Sequence, residues 1–223
     1  MDKKLLSQAL TKFLFGLIII CLLLFIPAGS LNYFNGWLFI ALLFIPMLIA
    51  GIIMLIKSPD LLKKRLNSKE TENEQKIIVL IIGIVFLLAF ILAGLNFRFG
   101  WFELPATIII IASIIFILSY LMYGEVLREN AYLSRTVEVT ENQKVIDTRL
   151  YSVVRHPMYT STIFLFLSIP LILNSPISFI IMLIYPIAIA SRIKNEEILL
   201  ENELMGYNEY KQKVKYKILP FIW

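Results

Sequence analysis

Residues 151–190 read YSVVRHPMYTSTIFLFLSIPLILNSPISFIIMLIYPIAIA, and they contain the only histidine of the chain, His156, just ahead of two apolar runs. The runs, Ile163–Leu173 and Pro176–Ala190, are separated by Asn174 and Ser175, which with Pro176 form a turn signal. This pattern predicts a helical hairpin. Each arm falls short of the roughly 20 apolar residues that cross about 30 Å of hydrocarbon. The hairpin is therefore expected either to span with little to spare or to enter part way, as short paired segments lining a cavity do.

Outward from the hairpin, four stretches do reach spanning length: Leu10–Ala28, Gly36–Ile56, Ile77–Phe97 and Leu104–Tyr123. The composition agrees, because 59% apolar residues, 17% charged residues and a mean hydropathy of +0.80 exceed what the polar surface of a soluble domain can cover. The predicted fold class is all-α: a polytopic integral membrane protein with four full spans plus the C-terminal hairpin. A chain of 223 residues leaves no room for a separate soluble domain, so one domain is expected. Residues 1–123 supply its four transmembrane helices, and residues 124–223 carry the chemistry. MDKKLLSQALTK precedes the first run, and no A-x-A cleavage signal ends that run; a retained first helix is expected. The single cysteine, Cys21, excludes an internal disulfide or a multi-cysteine metal site and reads as a small hydrophobe.

The net charge of +5 could suggest a nucleic-acid partner, but in a membrane protein the placement of charge carries more information. Every one of the 21 Lys and Arg except Arg98 falls in the N-terminal tail, the loop after the second span, residues 124–159 or residues 191–223. By the positive-inside rule both termini are cytoplasmic, the bilayer is the partner, and nucleic acid is not. Most of the polar chemistry then lies on one cytoplasmic face, and the opposite loops, GSLNYFN and NFRFGWFE, read as aromatic interfacial anchors. Oligomeric state leaves no mark in the sequence.

On that face, residues 136–149 carry β-branched and alternating positions and predict an extended or hairpin-like excursion. Pro157 suits the first turn of a helix and biases His156 away from the α region, which places His156 at a helix N-terminus with free N–H groups. Two readings are open there. His156 caps the helix while Arg155 snorkels to headgroups, or the pair serves a ligand. Arg192, Glu196 and Glu197 follow the last apolar run and predict a helix start on which i,i+4 spacing sets Arg192 beside Glu196. They are either ordinary salt bridges of a solvated helix or ionisable groups placed at the membrane rim for function. One histidine without cysteines is too few ligands for a metal site. A nucleophile elbow, a Walker loop and a G-x-G-x-x-G are also missing from the sequence.

RHPMY (155–159), IPLILNS (169–175), EEILLENEL (196–204), GYNEYKQKV (206–214) and LPF (219–221) together resemble the isoprenylcysteine carboxyl methyltransferase family. The likeness covers about residues 120–223; the first 100 residues share only their transmembrane character. The resemblance implies an S-adenosylmethionine cofactor pocket on the cytoplasmic face, partly inside the membrane. It places Gln143, Lys144, Val145, Ile146, Tyr151, His156, Pro157, Met158 and Tyr159 around the cofactor. It also implies catalytic roles for Glu197, on the cofactor, and Arg192, toward the acceptor. Arg149 and Leu150 stand where relatives carry Gly-Pro or Gly-Val, and Ser161 and Ser168 where Gly is frequent. Arg149 is expected to alter the pocket or to tighten it against the methionine carboxylate, whereas serine is small enough to keep close helix packing.

Methyl transfer from a sulfonium needs alignment and exclusion of water more than acid or base chemistry. For a carboxylate acceptor, isoprenylcysteine-like or another lipidic or prenylated molecule from the membrane, the planar fork of Arg192 is a suitable clamp. Three alternatives stand beside this reading: a phospholipid or amine N-methyltransferase, an NADPH-dependent membrane reductase, for which 223 residues is short, and a non-enzymatic membrane protein or transporter.

Overall fold

The computed structural model describes residues 3–66, 73–133, 139 and 143–223. Long runs of Leu, Ile and Phe without interior charges form helices because, with no water to bond the backbone, only intrahelical hydrogen bonds satisfy it. Four helices cross the bundle in alternating directions: α1 (Lys3–Ala28), α2 (Phe34–Lys57), α4 (Asn73–Phe99) and α5 (Ala106–Glu129). Each is long and apolar enough to cross a membrane, and so is the segment Pro176–Glu203. Side chains such as Ile26 and Leu121 stand two-thirds exposed on the outside of the bundle, the expected state of a lipid-facing residue. This is an all-α polytopic membrane protein; no strand occurs among the described residues.

A short helix, α3 (Pro59–Leu66), was not anticipated in the loop after α2. It buries Leu61 and Leu62 while Lys63, Lys64 and Arg65 crowd its last turn, which complements the helix dipole. Gln143–Asp147 forms no helix or strand; of the extended or hairpin-like excursion expected over 136–149, residues 136–138 and 140–142 lie outside the described residues. A 3₁₀ turn, Arg149–Ser152, follows.

The hairpin is longer on both arms than the hydropathy suggests. Its first arm, α6 (Pro157–Ile172), starts at Pro157 rather than Ile163. Thr160, Ser161 and Thr162 are tolerated in the helix because their hydroxyls donate to carbonyls, those of Ile218, Met158 and Tyr159 respectively. The second arm comprises α7 (Pro176–Met182) and α8 (Ile184–Glu203). Pro186 has no N–H to offer the Met182 carbonyl, which accounts for the break between them. Beyond Ala190 the helix continues through Arg192 and Glu197 to Glu203, so the expected helix start at Ser191 is instead the middle of α8. No proline or glycine interrupts 187–203, and Lys, Arg, Glu and Leu are good helix formers. Gly206, at φ +85°, turns the chain into α9 (Tyr207–Lys213).

At 16 residues α6 is only about 24 Å long, yet its C-terminal carbonyls do not go unpaired. Asn35 Nδ2 donates to Ile172 O (2.8 Å), Tyr33 Oη to Leu173 O (2.5 Å) and Asn96 Nδ2 to Asn174 O (2.9 Å). Asn174 itself turns at φ +57° and accepts the Leu104 N–H through its side-chain oxygen (2.6 Å). The hairpin turn is thus tied to the far ends of α4 and α5, and the hairpin reaches through the full depth of the bundle. Its first arm packs on α5 and its second on α4.

Gly94 lets α4 approach α1 closely. A Cβ there would lie 2.5 Å from Leu24 O and 3.0 Å from Ala28 N, both backbone atoms of α1, so the two helices would have to separate. Gly94→Ala is expected to destabilise the protein by about 1–3 kcal/mol. Gly83→Ala, with nothing within 4 Å of the added carbon, is expected to be neutral or slightly stabilising. Thermal unfolding of both variants in the same detergent checks the contrast.

Candidate active site

α6, α8, the 3₁₀ turn and the C-terminal tail meet at the end of the bundle where the charged residues gather. His156 occupies the N-cap position of α6 at φ −124°, with Pro157 as the first helical residue. Its ring makes no capping hydrogen bond. The imidazole instead reaches α8, where Nε2 lies 3.1 Å from Glu197 Oε1. Because an ionised carboxylate only accepts, this contact assigns the ring proton to Nε2.

Glu197 gathers two further cations. Arg155 Nε donates to Oε1 at 2.7 Å, and Lys217 Nζ to Oε2 at 2.8 Å. Arg155 and Glu197 each expose 4% of their side chains, so the ion pair is buried. Arg155 does not snorkel to headgroups; its Nη1 donates to the carbonyls of Val214 (2.7 Å) and Lys215 (2.8 Å). The backbone continues the clamp, with Arg155 N–H on Tyr216 O (2.9 Å) and His156 N–H on Lys217 O (2.8 Å). One buried carboxylate therefore joins α8, the residues before α6 and the C-terminal tail.

A cavity opens beside this clamp. Gln143, Lys144, Val145, Ile146, Tyr151, His156, Pro157, Met158, Tyr159 and Arg192 all line it. Glu197 is not among its lining residues; the carboxylate in the wall is that of its neighbour, Glu196. Tyr159 ties the polar wall together, since its hydroxyl donates to Glu196 Oε2 (2.6 Å) and accepts from Arg192 Nε (3.0 Å). Arg192, expected beside Glu196 by helical spacing, is bridged to it by this phenol and is buried. Leu199, Leu200 and Leu204 supply an apolar wall opposite.

Sequence reasoning gave no role to Asn130, Tyr132, Tyr207 or Tyr210, which also line the cavity. Tyr207 and Tyr210 sit three apart on α9, within GYNEY, so the i,i+3 spacing of two tyrosines was the available signal. Tyr210 Oη donates to Tyr151 O (2.7 Å), and Asn130 Nδ2 to Tyr151 Oη (2.9 Å), which fixes the rim. Burial pushes the phenols of Tyr151, Tyr207 and Tyr210 well above their usual range, so all three stay protonated donors. Asp147 is held below the usual carboxylate range by the hydrogen bond and charge of Lys213.

Arg149 does not line the cavity. Its guanidinium turns to Glu125 (2.7 Å) on α5. Its φ of +43° lies in the left-handed region, which favours glycine. Ser161 and Ser168 are buried with their hydroxyls bonded to Met158 O and Phe164 O, so neither leaves an unpaired polar group in the helix packing.

Glu197→Gln removes the negative charge that compensates the buried Arg155 and the partly exposed Lys217. A loss of about 3–5 kcal/mol of stability is expected, visible as a lowered unfolding midpoint in detergent. Glu196→Gln, on the cavity wall, is expected to cost far less in the same measurement.

No curated protein matches the chain. Residues 106–202, which run from the start of α5 almost to the end of α8, match the model of the Isoprenylcysteine carboxyl methyltransferase (ICMT) family. The match contains the histidine motif, the hairpin and the acidic pair, and it stops short of α9 and the tail. Through this segment, somewhat under half of its length, the chain is similar to the isoprenylcysteine carboxyl methyltransferase family.

Proposed function

We propose that the cavity binds S-adenosylmethionine at the cytoplasmic face of the membrane and that the enzyme methylates a carboxylate of an isoprenylcysteine-like or other lipidic acceptor. The observation that carries the reading is convergence: residues from three separate parts of the chain, 143–146, 151–159 and 192, line one cavity beside the charged rim. Their chemistry suits the cofactor, with apolar Val145, Ile146, Leu199 and Leu200 for a nucleoside and His156, Tyr159, Glu196 and Tyr207 for its polar groups. The cytoplasmic placement rests on the positive residues that crowd this end.

When bound, the cofactor supplies a methyl group already activated on a positive sulfonium. The work left to this chain is positioning and exclusion of water. Arg192 is assigned to orient the acceptor carboxylate, because a planar guanidinium matches both carboxylate oxygens at once. Tyr159 fixes that guanidinium through Nε, and Glu196 in turn orients Tyr159 by accepting a hydrogen bond from its hydroxyl. In this arrangement Glu197 acts from behind the wall as a positioning residue. It holds His156 and Arg155 in place through the buried clamp.

Glu196 also lets an amine acceptor be weighed, since such a substrate would need a base and this carboxylate faces the cavity. Chemistry separates the two. With methyl-tritiated S-adenosylmethionine and an S-farnesylcysteine derivative bearing a free carboxylate, the carboxylate reading predicts label that mild alkali releases as volatile methanol. Label stable to alkali and carried on an aminophospholipid would establish the amine reading instead. Arg192→Lys, which keeps the charge and loses the fork, is expected to lower kcat/KM for the carboxylate roughly 100-fold.

A further inference from the structure

On α9, outside the segment that matches the family, Tyr207 has a feature that the clamp and the Tyr159 bridge do not explain. It is 4% exposed and lines the cavity, yet its hydroxyl has no hydrogen-bond partner among the described residues. A buried polar group without a partner is costly and rare, and it calls for a specific account.

The ring has little freedom to seek a partner elsewhere. Gly206, at φ +85°, delivers the chain into α9, and the Tyr207 ring lies against Tyr210 at 5.8 Å between centroids. Leu204, Val214, Val145 and Leu200 pack the same cluster. Tyr210 provides the contrast within one helix, because it is equally buried but donates to Tyr151 O at 2.7 Å. The same short helix thus presents to the same cavity one phenol that is bonded and one that has no partner among the described residues. Burial, and then the nearby Glu197 carboxylate, keep the Tyr207 phenol protonated, so it can only complete its bonding by donating to an acceptor atom.

We infer that Tyr207 is a ligand-binding residue whose hydroxyl donates a hydrogen bond to an acceptor atom of the adenosyl cofactor. This rests on the methyltransferase reading and adds a recognition element from beyond the matched segment. With no partner among the described residues, the hydroxyl completes its bonding, and contributes affinity, when the cavity is filled.

S-adenosylhomocysteine, the unreactive product of the transfer, is the probe. Its dissociation constant is measured by isothermal titration calorimetry on the detergent-purified wild type, Tyr207→Phe and Tyr210→Phe, alongside the unfolding midpoint of each protein without ligand. For Tyr207→Phe the expected result is a dissociation constant raised about 3- to 10-fold with a ligand-free midpoint equal to or above that of the wild type. Tyr210→Phe, which breaks a bond already made, is expected to lower the ligand-free midpoint. The inference is overturned if Tyr207→Phe binds as tightly as the wild type, or if its ligand-free midpoint falls as that of Tyr210→Phe does. A folded wild type that does not bind the probe overturns the methyltransferase reading itself, and the two failures appear in different proteins.

Discussion

Glu197 is the constraint on which the charged end of this protein depends. Removing an ion from water costs several kcal/mol even after relaxation, so a carboxylate with a 4% exposed side chain persists only where partners saturate it. Here Arg155, His156 and Lys217 supply those partners, and they come from two segments remote from α8 in sequence. Because Arg155 also donates to the carbonyls of Val214 and Lys215, the clamp pins the C-terminal tail as well as the start of α6. The cavity takes its shape from that junction: His156 and Arg155 are presented from the clamp, and Glu196, one residue along α8, faces the other way.

A second junction at the opposite end makes the first possible. The α6 helix is too short for its last carbonyls to lie in water, and Tyr33, Asn35 and Asn96 from α2, its preceding loop and α4 satisfy them inside the bundle. The hairpin is therefore held at both ends, by neutral amides and a phenol at one and by charges at the other. That difference follows from the solvent. Neutral donors suffice for backbone carbonyls away from the charged rim, while the rim, near water and headgroups, can hold an ion cluster with one cation, Lys217, still about one-fifth exposed.

Much of this was legible in the sequence, and the remainder was not for identifiable reasons. Hydropathy located the four long helices, and Asn174-Ser175-Pro176 marked the hairpin turn, because both signals are local. The resemblance carried by RHPMY and EEILLENEL named ten of the residues that line the cavity. It assigned the cofactor contact to Glu197, yet adjacent residues on a helix point about 100° apart, and only tertiary packing decides that Glu196 faces the cavity while Glu197 faces the clamp. The continuity of α8 past Ala190 was hidden by the change from apolar to charged residues, although helix propensity alone would have allowed it. Arg149 looked as if it would enter the pocket, but its partner is Glu125, 24 residues earlier on α5. Tyr207 could be found only by asking which buried hydroxyl lacks a partner, a question that needs three dimensions.

The central claim is that the cavity beside the Glu197 clamp is a cofactor site, and equilibrium binding of radiolabelled S-adenosylmethionine to the purified, folded protein tests it most directly. The account predicts saturable binding at one site per chain, displaced by unlabelled S-adenosylhomocysteine and not by ATP. Binding that fails to saturate, or none at all to a protein that still unfolds cooperatively, would contradict it.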